Sequence, residues 1–128
     1  MTRSTIQTDL APAAIGPYSQ GVVAGGFVFT AGQIGLDPAT GTMVEGGVVA
    51  QAVQAISNLE AVLAAGGCSL SDVVKTTLFV ADMRDFAAVN GVYDSRFDAP
   101  YPARSTVEAA ALPAGALFEI DAVAVAPG

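Results

Sequence analysis

Two helix-period segments separated by a strand limit this chain to a small group of folds. Apolar residues recur every three or four positions over 49–63 and again over 86–97, as they do on one face of a helix. The β-branched run 73–80 lies between them and predicts a central strand. Residues 104–110 and 117–125 predict two further strands, the last with strict alternation. Helices and strands mixed in this order indicate an α+β fold.

The N-terminal third predicts a β-hairpin, in which residues 18–23 pair with 27–33 across Ala24-Gly25-Gly26. Gly66-Gly67 should end the first helix, and Asp82 should cap the second. We predict a single layer of mixed or antiparallel sheet with both helices on one face.

The chain of 128 residues contains no linker, so we predict one domain, 1–128. Only 35 residues are Val, Ile, Leu or Phe, because much of the apolar content is alanine. The sheet face without helices would gain from burial against further copies, which would place clefts between subunits.

Cys68 is the only cysteine and has no basic neighbour, so we expect an inert thiol and a cytoplasmic protein. The uncharged stretch 10–36 contains Pro, Gln and Gly, and we expect no membrane span there.

Charge and histidine content exclude several classes of function. The net charge of −7 argues against nucleic acid as a partner, because no basic stripe can neutralise phosphates. The chain has no histidine, which argues against His-dependent triads and histidine-ligated metal hydrolases. It has no phosphate-binding loop, dinucleotide fingerprint or zinc-ligand cluster. We expect neither a cofactor nor a metal.

Arg104 is the most informative candidate residue. Strand alternation places Arg104, Thr106 and Glu108 on one face. A guanidinium there could bind a substrate carboxylate with two parallel hydrogen bonds. An ion pair of Arg104 with Glu108 or Glu119 is an equally open alternative.

Other candidates each have a structural alternative. Glu119 could orient a water or act as a base, although alternation favours an ordinary solvent-facing strand residue. Tyr18 follows a Gly-Pro turn and is otherwise an aromatic packing residue. Gly32 marks either the close approach of a ligand or a bulge. Asn90 and Tyr93 share a helix face, as residues at the edge of a core often do.

Six segments, in order and over nearly the whole chain, resemble the RidA/YjgF family. They are residues 11–20, 31–33, 74–77, 90–93, 102–108 and 118–125. The resemblance implies a chorismate-mutase-like α+β fold, a homotrimer, and ligand clefts between subunits. It also implies hydrolysis of reactive enamines and imines to 2-oxo acids and ammonia. Such intermediates, of the 2-aminoacrylate and 2-aminocrotonate type, escape from pyridoxal-phosphate enzymes.

The resemblance assigns roles to individual residues. Arg104 matches the family's carboxylate-binding arginine, and Glu119 matches the glutamate thought to position the attacking water. Tyr18 and Asn90 match pocket residues, and the backbone around Gly32 would line the cleft.

Two positions depart from the family pattern. Thr106 stands where many relatives have cysteine and others threonine, so its hydroxyl can still form a hydrogen bond but a thiol role is excluded. Ala31 stands where deaminases usually have serine, so one polar contact to the ligand is missing. The alternative expectation is therefore a non-catalytic module that binds small 2-oxo or other carboxylic acids. Ribonuclease activity, attributed to some relatives, conflicts with the acidic charge.

Overall fold

The chain folds into one mixed sheet and two α-helices, seen in a computed structural model that describes residues 2–127. The strands are β1 (Arg3–Ile6), β2 (Gly21–Ala24), β3 (Phe27–Thr30), β4 (Gln33–Ile34), β5 (Val73–Val80), β6 (Ala103–Glu108) and β7 (Phe118–Val125), and the helices are α1 (Gly47–Ala65) and α2 (Phe86–Arg96).

The strand order is β1-β2-β3-β7-β5-β6, with the short β4 continuing the line of β3 along β7. Every neighbouring pair is antiparallel except β5 and β6, which are parallel and place Thr76 opposite Arg104. A parallel pair needs a crossover, and α2 supplies it. Strand β6 lies at the edge of the sheet and follows the helix after the loop 97–102.

Both helices cover the same face of the sheet, as the sequence predicts. On β7 the side chains of Phe118, Ile120, Ala122 and Ala124 are buried, whereas Glu119, Asp121 and Val123 on the other face are only partly buried. Helix α1 packs on β7 and β4, and α2 packs on α1. We call the face without helices the open face. It exposes 41% of Phe27, 44% of Phe29 and 46% of Val125, an apolar surface for a partner to cover.

Helix α1 is long and apolar enough, by length and composition, to cross a membrane. In this fold its buried stripe, which includes Ile56, Leu59 and Leu63, belongs to the core. Helix α1 ends at Gly66-Gly67, which confirms the predicted C-terminus of the helix. Gly67 has φ of 83°, a conformation that favours glycine, and the Cys68 N–H then donates to the Leu63 carbonyl.

Some predicted boundaries are wrong. The hairpin loop is only Gly25-Gly26, and Tyr18 lies outside the strands because β2 begins at Gly21. Strand β6 ends at Glu108 rather than residue 110. Asp82 caps a short 3-10 turn, Met83–Asp85, that leads into α2.

Strand β1 has no counterpart in the prediction. It is a mostly exposed edge strand, and its sequence carries no apolar alternation because little of it is buried.

Candidate functional site

A cleft of about 390 Å³ opens between α2 and β6. Its lining residues are Asn90, Tyr93, Asp94, Tyr101, Pro102 and Arg104. The helix supplies three of these residues, the loop into β6 supplies Tyr101 and Pro102, and β6 supplies Arg104. The parallel β5–β6 connection therefore creates the cleft, because it brings the last turns of α2 beside the start of β6.

The Arg104 guanidinium lies between two aromatic rings. Its Cζ is 4.9 Å from the centre of the Tyr93 ring and 5.6 Å from that of Phe86. Stacking of this kind orients the planar group and leaves its N–H donors available. Glu108 instead accepts a hydrogen bond from the Met83 N–H, at 2.8 Å.

No ion pair involves Arg104 within residues 2–127. The two pairs found there join Arg84 to Asp82 and Arg96 to Glu60. The alternative expectation, that Arg104 is held by an acidic residue of its own chain, is therefore wrong for this chain alone. A half-buried guanidinium without a carboxylate partner is suited to bind an anionic ligand.

Tyr93 is fixed firmly enough to orient the guanidinium. Its hydroxyl shares a hydrogen bond of 2.9 Å with Thr76 Oγ1, which is fully buried, and its ring stacks on Phe97 at 4.3 Å between centres. Burial raises the pKa of Tyr93, while the Thr76 hydrogen bond and the Arg104 charge act in the opposite direction. Tyr93 therefore remains a neutral phenol at physiological pH.

Two buried polar atoms near Arg104 have no hydrogen-bond partner within the part of the chain that the structure describes. They are Asn90 Oδ1 and Thr106 Oγ1. Asn90 lines the cleft, and Thr106 lies two residues beyond Arg104 on the same side of β6. An unsatisfied buried polar atom is costly in free energy, so a ligand that bonded to either would gain affinity. Both residues were candidates from sequence.

A second group of candidate residues lies at a bulge between β3 and β4. Phe29 pairs with Val123, but Gln33 pairs with Ile120, so three residues of one strand span two of the other. The Thr30 hydroxyl accepts a hydrogen bond of 3.0 Å from the Ala122 N–H and replaces the missing backbone partner. The bulge expected as one alternative for Gly32 is therefore present, and it brings the Gly32 backbone against a candidate side chain. The close approach of a ligand to Gly32 stays a prediction.

That side chain is Glu119. A Cβ atom on Gly32 would overlap the Glu119 carboxylate and would lie 2.8 Å from its Cδ. Only glycine leaves room for the carboxylate in this position. Burial raises the pKa of Glu119, and the negative charge of Asp121 raises it further. Glu119 is thus a half-buried carboxylate with enhanced basicity.

Ala31 lies within this bulge, and Tyr18 lies in the loop before β2 that hydrogen-bonds to the bulge through Gln20. The Ala31 N–H donates to the Gln20 carbonyl at 2.8 Å, and its methyl group offers no hydrogen bond. The buried Gln20 amide also donates to the carbonyls of Thr8 and Pro12, which fixes the preceding loop. Tyr18 projects from that loop with 52% of its surface exposed, so aromatic packing does not account for it.

The candidates form two groups on opposite faces of the sheet. Arg104 pairs in register with Thr76, whose side chain is on the helix-covered face, and Thr106 shares that orientation. Glu119 and Gly32 lie on the open face. One copy of the chain therefore does not bring Arg104 and Glu119 together.

Sequence reasoning missed Asp94 and Tyr101 in the cleft and the Phe86 ring that packs on Arg104. Phe86 shares the predicted face of α2 with Asn90 and Tyr93, so its position beside Arg104 had a detectable signal. Asp94 and Tyr101 had none, because the loop that brings them together has no periodic pattern. Within residues 2–127, no three His, Cys, Asp or Glu side chains are grouped to hold a metal ion.

Comparison with known proteins gives consistent matches over the whole chain. A protein-family model described as Endoribonuclease L-PSP matches residues 8–126. A RutC family protein of Synechocystis sp. is 57% identical, with 99% of each chain covered. The 2-iminobutanoate/2-iminopropanoate deaminase of Salmonella typhimurium is 52% identical, over 94% of this chain and 96% of the relative. The crystal structure of Escherichia coli TdcF with bound serine has a TM-score of 0.88 at 43% identity, covering 95% of this chain and 98% of that one.

Proposed function

This chain belongs to the RidA/YjgF/L-PSP family, and from that premise we propose that it hydrolyses reactive enamine and imine acids to 2-oxo acids and ammonia. The proposed substrates are small carboxylic acids of the 2-iminobutanoate and 2-iminopropanoate type. These two compounds appear in the names of the deaminase relatives. The activity would remove harmful by-products of pyridoxal-phosphate enzymes.

The observation that carries this proposal is the guanidinium of Arg104. It packs over the Phe86 and Tyr93 rings in a cleft, and no carboxylate within residues 2–127 forms an ion pair with it. Every substrate in the proposed class carries a carboxylate next to the reacting carbon. A charge-assisted pair of hydrogen bonds contributes roughly 1.5–3 kcal/mol and fixes the direction of that carbon.

The chemistry requires few catalytic groups because the substrate is already reactive. An enamine first tautomerises to the imine, whose carbon is electrophilic. Water then forms a bond to that carbon while the nitrogen takes up a proton. The resulting carbinolamine breaks its carbon–nitrogen bond and releases ammonia and a 2-oxo acid. A water held in place gives this addition its advantage over the reaction in solution.

Glu119 is the residue we assign to that water. Its raised pKa makes the carboxylate a better proton acceptor, and the missing side chain at Gly32 gives the carboxylate room to lie against the strand backbone. Asn90 and Thr106 would bond to the ligand beside Arg104, and Tyr18 would close the opposite side. Ala31 contributes only a methyl group to that side.

Arg104 and Glu119 act on one substrate only if they come from different copies of the chain. The apolar open face, with Phe27, Phe29 and Val125, supports burial between subunits. We propose a homotrimer in which Glu119 and Gly32 of one subunit face the Arg104 cleft of the next. The single cysteine, buried and without a disulfide, supports a cytoplasmic location.

The test compares two arginine variants. Threonine dehydratase supplies the imine, and release of 2-oxobutanoate is followed with and without the protein. We expect Arg104→Ala to lose the acceleration while keeping its far-ultraviolet circular dichroism and its oligomeric mass. Arg84→Ala is the matched control, because that side chain is 90% exposed and pairs only with Asp82. Equal acceleration by wild type and Arg104→Ala would refute the proposal.

The presence of Ala31 favours a second candidate, a protein that binds 2-oxo acids without catalysis. Thermal stabilisation by 2-oxobutanoate, with no acceleration of imine decay, would support it. The endoribonuclease description of the family has less support here, since the net charge is −7. RNA cleavage that persisted through purification and disappeared in Arg104→Ala would support that activity instead.

A further inference from the structure

A hydrogen-bonded pair on the wall of the Arg104 cleft has no role in the reaction described above. The Tyr101 hydroxyl donates to Asp94 Oδ1 at 2.6 Å, and both residues line the cleft. Asp94 is in the last turn of α2, and Tyr101 is in the loop that enters β6. The bond joins the two sides of the cleft and holds the Asp94 carboxylate in place.

We propose that Asp94, positioned by Tyr101, selects substrates by the charge of their side chain. It would disfavour imino acids that carry a second carboxylate and favour those with uncharged or cationic side chains. This inference rests on the proposed function, since it assumes that the carboxylate next to the imine binds Arg104.

The size of the cleft makes such selection necessary. About 390 Å³ is within the range of roughly 300–1,000 Å³ that proteins use for drug-sized ligands. In one copy of the chain, the cleft therefore has room for side chains much larger than that of 2-iminobutanoate. Arg104 attracts any carboxylate, so a dicarboxylic imino acid could bind in the wrong direction unless another group opposed it.

The charges around the cleft provide that opposition. Arg104 is the only cationic lining residue among those described, and Asp94 is the only anionic one. Asp98 adds a second negative charge near Tyr101. Asn90, Tyr93, Tyr101 and Pro102 complete the lining and carry no charge at neutral pH. A substrate bound to Arg104 would thus extend its side chain toward a negative wall.

Tyr101 acts through Asp94 and is a positioning residue. Its ring, 55% exposed, carries no net charge, so the charged group on this wall of the cleft is the Asp94 carboxylate. The hydrogen bond from its hydroxyl restricts the carboxylate to the cleft side, whereas a free aspartate on a helix surface would rotate toward water. The Tyr101→Phe variant keeps the ring and removes only this restraint.

The experiment measures a ratio of specificities. Imino acids are produced by amino-acid oxidases from alanine, arginine and glutamate, and kcat/KM is measured for each. We expect Asp94→Asn to raise the glutamate-to-alanine ratio by about two- to fivefold and to lower the arginine-to-alanine ratio by a similar factor, as for a partly exposed ion pair. Tyr101→Phe should shift both ratios in the same directions by less. Glu45→Gln is the control, because it removes an exposed charge outside the cleft.

Equilibrium binding separates this inference from the proposed function. The dissociation constants of 2-oxobutanoate and 2-oxoglutarate are measured by calorimetry with the same variants. A charge-dependent shift in binding without any imine hydrolysis would support Asp94 selection and refute the deaminase. A second outcome would be that wild type hydrolyses the imines while Asp94→Asn and Glu45→Gln have the same kcat/KM ratios. That result would overturn the inference about Asp94 but would agree with the proposed deaminase activity.

Discussion

Replacement of Gly32 by alanine tests the proposed catalytic centre most directly. The added methyl group would occupy the space of the Glu119 carboxylate, with the Glu119 Cδ only 2.8 Å from the new Cβ. The atoms that clash belong to the end of a flexible side chain, so the carboxylate rotates away while the backbone stays. We expect the Gly32→Ala variant to fold normally and to lose catalysis.

The expected magnitudes follow from the geometry. Gly32 does not have positive φ, so alanine fits its backbone and changes the free energy of unfolding by no more than about 1 kcal/mol. Displacing a group that positions or deprotonates water typically lowers a rate by about 10²–10⁴-fold. A fall in kcat/KM of at least 10²-fold with an almost unchanged Tm is therefore predicted.

Gly91→Ala provides the matched control. Gly91 is an exposed glycine within α2, and no atom lies within 4 Å of a Cβ built on it. This variant should gain roughly 0.5–1 kcal/mol in stability, because alanine favours helix, and should retain activity. Both variants are compared in the dehydratase-coupled assay. A Gly32→Ala rate within twofold of the Gly91→Ala rate would refute the assignment of Glu119 to the reacting water.

Three further predictions concern stability. Thr30→Val leaves the Ala122 N–H without its partner and should lower the free energy of unfolding, measured in urea, by about 1–3 kcal/mol. Thr30→Ser keeps the hydroxyl and should retain most of the wild-type stability. Tyr93→Phe leaves the buried Thr76 hydroxyl unbonded and should cost a similar amount by the same measurement; no loss would contradict this reading of the hydrogen bond. The raised pKa of Glu119 means that the folded chain binds more protons than the unfolded one above about pH 4, so unfolding free energy falls as pH rises through the window up to that raised pKa. Glu119→Gln should flatten this decline, and an unchanged slope would argue against the burial of this carboxyl.

The sequence contained enough local information to predict most elements but not their boundaries. The alternation of β7 correctly separated the face of Glu119 from that of Phe118, because side-chain direction in a strand depends only on position. The spacing in α2 likewise put Asn90 and Tyr93 on one side. The end of the hairpin was wrong because Thr30 leaves the ladder through a side-chain bond to a residue far along the chain.

The relation between Arg104 and Glu119 was beyond local reasoning. The alternation within β6 and within β7 was predicted correctly. Whether Arg104 on β6 and Glu119 on β7 face the same side of the sheet depends on the register of both strands against β5. That register is set by tertiary packing. The bond between Tyr101 and Asp94 was unpredictable for the same reason, since a loop without periodicity determines it.

The position of the cleft at the sheet edge has a consequence for how such proteins diverge. Residues 98–102, which carry Tyr101, are exposed or half-exposed and contribute nothing to the buried core. Substitutions there avoid the destabilisation that accompanies changes in a packed interior. Glu119, in contrast, is on a strand whose alternate residues form that interior. With the roles proposed above, a few surface mutations would be enough to alter which acids are admitted, while the proposed catalytic carboxylate on β7 stays constant.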